Sequence, residues 1–354
     1  MAIINKPSDY FNTKLYVGNG STQSITGVGF QPDWVWFKNR SSVQNHRLFD
    51  SVRGAGKNLV SNNNGAEIDA GTGTGGQLRT FDSDGFSVGS DNSVNQNTEN
   101  IVAWNWKAGT SFTNDASGTG IGSIDSTGSF SNDSGFSIVT YTGTGSDGTI
   151  KHGLNAKPKI VFWKRLDNAA GAVNWIVQST LFGNQTKLVL NTTEAFSTNS
   201  SFSQTNNWTS ALLDLKTYEG QNASSGTYVA YCFAEKTGFS KFSSYIGNGN
   251  ADGTFVYTGF KPAWVMIKNA SASQNWYMLD NKRDISNVCD SYVTADNATA
   301  EQTYTLVDFL SNGFKARDSG GASNGNGNTM IYMAFAQNPF VTSTGNGSIP
   351  ATAR

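Results

Sequence analysis

Asp50 and Arg53 in "RLFDSVRG" and Asp280 and Arg283 in "YMLDNKRD" repeat one Asp-x-x-Arg pattern in two distant parts of the chain. A carboxylate and a guanidinium so spaced can grip a charged ligand or orient a loop through a charge-assisted hydrogen bond. Recurrence in corresponding places favours the loop-orienting role. Trp175, Trp208 and Trp276 stand among Asn, Gln and Ser. They are candidate ligand contacts, as exposed platforms for sugar stacking, with core or inter-domain packing the competing reading.

Other chemistry has little to draw on. The two histidines, His46 and His152, lie far apart in sequence, so a His-based triad or metal cluster is poorly supplied, and His46 beside Arg47 reads as a surface residue. Cys232 and Cys289 read as free thiols with no identifiable base. "DSDG" at 82–85 lacks the further acidic ligands of a calcium loop and reads as a β-turn. "GTGTGG" at 71–76 and "TGTGSDG" at 142–148 lack the Lys-Ser/Thr and the helix of a phosphate loop. With 26 Asp and Glu, a glycosidase carboxylate pair stays open, but nothing points to one. No catalytic, cofactor-binding or metal-binding residue is expected.

The elements that must position these residues follow from composition and from internal repetition. Charged residues are only 14% and glycine numbers 39, a bias toward turns and strands over helices. A net charge of -1 without a basic block argues against a nucleic-acid partner. No signal-like start and no long apolar segment appears, so a cytoplasm-made protein without membrane insertion is expected.

Three stretches share a core: Pro32 to Lys38, Pro158 to Lys164 and Pro262 to Lys268, each with Pro and Lys six residues apart and an unbroken apolar middle. An aromatic and a G-x-G turn precede each one, at Tyr16, Tyr141 and Tyr245, with Tyr-to-Pro distances of 16, 17 and 17. A second apolar run follows each, with an alanine at Ala103, Ala230 and Ala334, 71, 72 and 72 residues after the proline. Such spacing predicts three copies of one unit of about 100 residues. The second copy lacks the Asp-x-x-Arg pair.

The fold class expected is all-β: three tandem antiparallel β-sandwich repeats of jelly-roll or lectin-like type. "WVWFK" reads as a strand buried on both faces, with its proline at the strand start. The boundaries are 1–108 for the first repeat, 109–135 for a Gly/Ser-rich linker or excursion, 136–237 for the second repeat, 238–338 for the third and 339–354 for an extended C-terminal tail. The second and third repeats are expected to pack with fixed geometry and the first to be more loosely attached.

The opening "INKPSDYFNTKLYVGNGSTQSITGVGFQPDWVWFKNR", the middle "FDSDGFSVGS" with "NIVAWNWKAG", and the ending "FVTSTGNGSIPATAR" resemble a repeat protein of tailed bacteriophages, marine and cyanobacterial ones in particular. That family is tail-fibre-like or virion-structural. The resemblance spans essentially the whole chain and carries no catalytic residues. It implies a virion component made in the host cytoplasm, bound to other virion proteins and to a host-surface glycan or receptor, and homo-oligomeric, a trimer if it is a fibre. The domain-sized period fits a globular head, adaptor or decoration protein better than a shaft. The competing functions are a capsid decoration protein, a lectin-like glycan binder and a polysaccharide depolymerase.

Overall fold

The computed structural model describes residues 4–167, 169 and 171–340. Its strands are short, antiparallel and closed by glycine-rich turns, as the composition requires. The first stretch holds β1 (Phe11–Val17), β2 (Gln23–Thr26), β3 (Trp34–Asn39), β4 (Arg47–Asp50), β5 (Lys57–Asn58), β6 (Ile68–Asp69), β7 (Leu78–Asp82), β8 (Gly85–Val88) and β9 (Asn100–Trp106). The second holds β10 (Thr110–Asn114), β11 (Ser126–Ser131), β12 (Phe136–Thr142), β13 (Gly148–Lys151), β14 (Ile160–Arg165), β15 (Ile176–Ser179), β16 (Thr186–Val189), β17 (Ser197–Thr198), β18 (Leu212–Leu215) and β19 (Thr227–Phe233). The third holds β20 (Ser240–Ile246), β21 (Phe255–Tyr257), β22 (Phe260–Asn269), β23 (Trp276–Asp280), β24 (Cys289–Thr294), β25 (Gln302–Leu310), β26 (Gly313–Ala316) and β27 (Thr329–Pro339).

One strand order recurs in all three: β1-β9-β3-β4, then β12-β19-β14-β15, then β20-β27-β22-β23. A smaller sheet accompanies the first two, as β2-β8-β7 and β13-β18; in the third stretch β24 carries the larger sheet on into β25-β26-β21, which fold over in the equivalent place. β1 with β9, β12 with β19 and β20 with β27 therefore lie side by side.

The strand after each proline is buried on both faces, and alternation explains how. Val35 and Phe37 of β3 enter a core enclosed with the smaller sheet of their own stretch, beside Ile25, Phe86 and Val88. Val161 and Trp163 do the same in the second stretch, and Val265 and Ile267 in the third. The opposite faces, Trp34 and Trp36, Ile160 and Phe162, Trp264 and Met266, meet in one central cluster drawn from all three stretches. Its aromatic contacts cross between stretches: Trp34 with Tyr231 at 4.6 Å, Trp106 with Trp264 at 5.8 Å, Phe233 with Phe335 at 6.1 Å. Burying such rings drives association of the larger sheets.

Four expectations are corrected. The first stretch is not loosely attached, because Phe11, Trp34, Trp36, Trp104 and Trp106 help fill the shared centre. Residues 109–135 are not a linker: β10 and β11 extend the second sheet outward from β12. Pro262 does not begin its strand but interrupts β22 at a register shift, where its missing N–H costs no ladder bond. Ala334 is not the counterpart of Ala103 and Ala230. Lys38, Lys164 and Lys268 lie opposite Val102, Val229 and Ile331, so Tyr332 holds the alanine's place and Ala334 falls two residues on. Only Pro339 and Phe340 of the expected 339–354 tail are described, and Pro339 ends β27; the rest of that segment lies outside the described residues.

The tyrosine and G-x-G pattern has a physical cause. Tyr16, Tyr141 and Tyr245 donate their hydroxyls to the carbonyls of Val94, Gln221 and Ser323. The next residue, Asn95, Asn222 or Asn324, accepts on its side chain from the backbone N–H of Asn19, Thr144 or Asn248, at 2.9–3.0 Å. Gly143 is confined by this clamp, since a Cβ there would lie 2.4 Å from the Ala223 carbonyl oxygen. Gly143→Ala is expected to cost about 1–3 kcal/mol of stability in urea unfolding, because a backbone carbonyl cannot swing aside as a side chain could.

Candidate functional site

Each Asp-x-x-Arg pair forms a loop clamp at the end of a strand. Asp50 Oδ1 accepts from the N–H groups of Val52 and Arg53, at 3.1 and 2.8 Å, and Asp280 Oδ1 accepts from Lys282 and Arg283, at 3.0 and 2.9 Å. The second oxygen meets the guanidinium Nε, at 2.5 Å for Arg53 and 2.6 Å for Arg283. Glu67 and Glu301 close the far side of each guanidinium. Burial alone would press the Arg53 and Arg283 pKa values down, but the carboxylates overcome it and hold both above the ordinary arginine value.

Each clamp also takes a donor from another stretch. Tyr231 Oη donates to Asp50 Oδ2 at 2.7 Å, and Trp104 Nε1 donates to Asp280 Oδ2 at 3.1 Å. Ser179 occupies the corresponding position in the second stretch, opposite Ile160 as Asp50 is opposite Trp34 and Asp280 opposite Trp264. The counterpart of Trp104 and Tyr231 in the third stretch is Met333, opposite Met266, with no proton to donate. The aspartate is thus present in the two stretches that receive a donor and absent where the counterpart is a thioether, which accounts for the missing pair in the second stretch.

A second set of contacts runs in cyclic order. The Trp175 indole N–H reaches the Val60 carbonyl at 2.8 Å and that of Trp276 reaches Val189 at 2.9 Å. His46 Nε2 lies 3.0 Å from the Thr294 carbonyl. His46 Nδ1 accepts from Trp36 Nε1 at 2.8 Å, which leaves Nε2 to carry the proton. First holds third, second holds first, third holds second.

The three lysines at the ends of the apolar strands repeat that order. Lys38 Nζ donates to Ala298 O at 3.2 Å, Lys164 to Asn64 O at 3.3 Å and Lys268 to Thr193 O at 2.7 Å, each across to another stretch. Their other partners are carbonyls nearer by, such as Gln44 for Lys38, Val173 for Lys164 and Gln274 for Lys268. Burial presses all three ammonium groups down to about 8. Arg40 adds a bidentate pair to Glu301 at 2.7 and 2.8 Å, joining the first stretch to the third.

The tryptophans expected as sugar platforms are therefore not available to a ligand. Trp175 is wholly buried, and Trp208 and Trp276 are only 2% exposed. Trp208 packs on Trp163 at 5.5 Å and donates to Ser203 Oγ at 2.9 Å, inside the second stretch. His46 is buried, not on the surface, with burial holding its pKa well below the ordinary range. Cys232 and Cys289 are both buried and are not joined in a disulfide. The sequence does carry a signal for these lysines: a charged residue ends an unbroken apolar run in all three stretches. Replacing Trp276 by Phe is expected to cost about 1–3 kcal/mol in denaturant unfolding, because the Val189 carbonyl loses its partner.

Among the described residues no group of three or more His, Cys, Asp or Glu is placed to hold a metal ion, and no helix is long and apolar enough to cross a membrane. A family model described as "Domain of unknown function (DUF7483)" matches residues 6–339. No curated protein matches the chain.

Proposed function

We propose a structural role for this chain, which belongs to the DUF7483 family over residues 6–339: a globular component of a tailed-phage particle, built as three tandem β-sandwich repeats closed into a ring. The observation that carries this reading is the cyclic order of buried bonds. Lys38 to Ala298, Lys164 to Asn64 and Lys268 to Thr193 tie every repeat to another, and His46, Trp175 and Trp276 do so again. Groups that an enzyme would keep exposed to a substrate are spent on rigidity, which is what a particle component exposed to the environment needs.

The body supports an appendage or decoration protein better than a shaft, because its repeats curl around a common core and do not stack along an axis. One chain supplies the threefold contact order that a fibre trimer draws from three chains. Its role is to bind other virion proteins at one surface and the host surface at another. Gold-labelled antibody imaging of purified particles, with mass spectrometry of the same material, tests this. The chain is expected at a fixed position and in constant copy number per particle. Its absence from washed particles would end the proposal.

A further inference from the structure

The strand pair β10–β11 has no counterpart in the other two stretches: β1 and β20 end their sheets, whereas β12 is followed by β11 and then β10. Across the ends of β11, β12 and β19 lies an open trough of about 590 Å³, within the size range of small-ligand sites. One wall is β11, which has no counterpart in the other two stretches among the described residues, so a single such site is expected. We propose that this trough binds a neutral saccharide, an inference that rests on the host-surface reading above and names the ligand class for it.

The lining decides the chemistry. Ser123, Thr127, Thr140, Thr142 and Thr227 contribute hydroxyls, and Asp125 contributes a carboxylate. Thr127 and Thr140 face each other across the β11–β12 ladder with their hydroxyl oxygens 2.9 Å apart. Each hydroxyl can donate once and accept twice, so a row of them matches the mixed donors and acceptors of sugar hydroxyls. The lining contains no lysine or arginine, and Asp125 would repel an anion, so a phosphate or an acidic sugar is disfavoured. Leu166 and Ile124, with the threonine methyls and the edges of Tyr141 and Tyr228, supply apolar surface suited to one face of a sugar ring.

The test uses the full chain on an array of neutral and acidic bacterial oligosaccharides, followed by calorimetric titration of the best ligand. Saturable binding of a neutral saccharide at one site per chain is expected. The double variant Thr127→Ala with Thr140→Ala is expected to weaken it at least tenfold with an unchanged melting profile. Thr142→Trp, which fills the trough from an exposed position, should abolish binding even if the double variant folds poorly. A blank array, binding of acidic sugars alone, or affinity within twofold of the parent in Thr142→Trp would overturn the inference. A blank array with the chain still present in purified particles would sink the trough and leave the structural role standing. Sugar binding by a chain absent from particles would do the reverse.

Discussion

Replacing Asp280 by alanine is expected to destabilise the protein by about 3–5 kcal/mol, the range for removing one partner of a buried ion pair. Four donors converge on this carboxylate: the N–H groups of Lys282 and Arg283, the Arg283 guanidinium and the Trp104 indole. Arg283 has a fully buried side chain and stacks 5.5 Å from the Trp104 ring, so its charge has no route to water once the aspartate is gone. Exchanging both members, Asp280→Leu with Arg283→Met, should cost clearly less than the single change, because no buried guanidinium is then left with Glu301 as its one carboxylate, and Glu301 keeps Arg40. Guanidinium unfolding of both variants checks this; a single-variant loss below about 1 kcal/mol would refute the assigned role.

The second large effect is a pH dependence carried by Lys268. Lys268→Met should cost about 1–3 kcal/mol near neutrality, since the Thr193 and Gln274 carbonyls lose their donor. Burial presses the folded-state ammonium down to about 8, whereas an unfolded lysine titrates near 10.4. Between those values the unfolded chain binds the more protons, so the parent protein gains stability from this group as pH rises. The variant cannot share that gain. The stability gap is therefore expected to widen from pH 8 toward pH 10, by at most about 1.4 kcal/mol per unit. Comparing parent and variant at each pH cancels the other titrating groups, including Cys232, whose burial-raised pKa acts in the opposite direction. A gap that narrows over this range would contradict the buried-lysine assignment.

Much of this was legible in the chain because local rules and the fold agree. Prolines before apolar runs, tyrosines before G-x-G turns and a fixed spacing between them placed the central strands of each stretch. The matching Asp-x-x-Arg spacing points to Asp50 and Asp280, whose side chains bond the backbone of their own loops. What covered the outer face of the apolar strands was not legible, since a second sheet and a neighbouring stretch bury a tryptophan equally well. Trp175 looked exposed because Asn174 and Gln178 flank it, yet Gln178 is itself buried and bonded to Thr186, Ser203 and Gln221. His46 misled in the same way, between Asn45 and Arg47.

The misplaced alanine has another cause. A slip of two residues along a strand keeps every side chain on its own face, so pattern matching cannot detect it, whereas a slip of one would have failed at once. Residues 109–135 misled because β10 and β11 form a sheet edge. Their polar alternation, exposed at Thr113 and Thr127 and buried at Asn114 and Ser126, is that of strands with one wet face.

Native-state hydrogen exchange across the three central strands, residues 100–106, 227–233 and 329–339, tests the shared core most directly. With one core and cyclic bonds, all three should open with the same free energy and the same denaturant dependence, as a single cooperative unit. Residues 100–106 exchanging through a separate, lower-energy opening while the other two strands stay protected would show that the first stretch folds on its own, and would contradict the account.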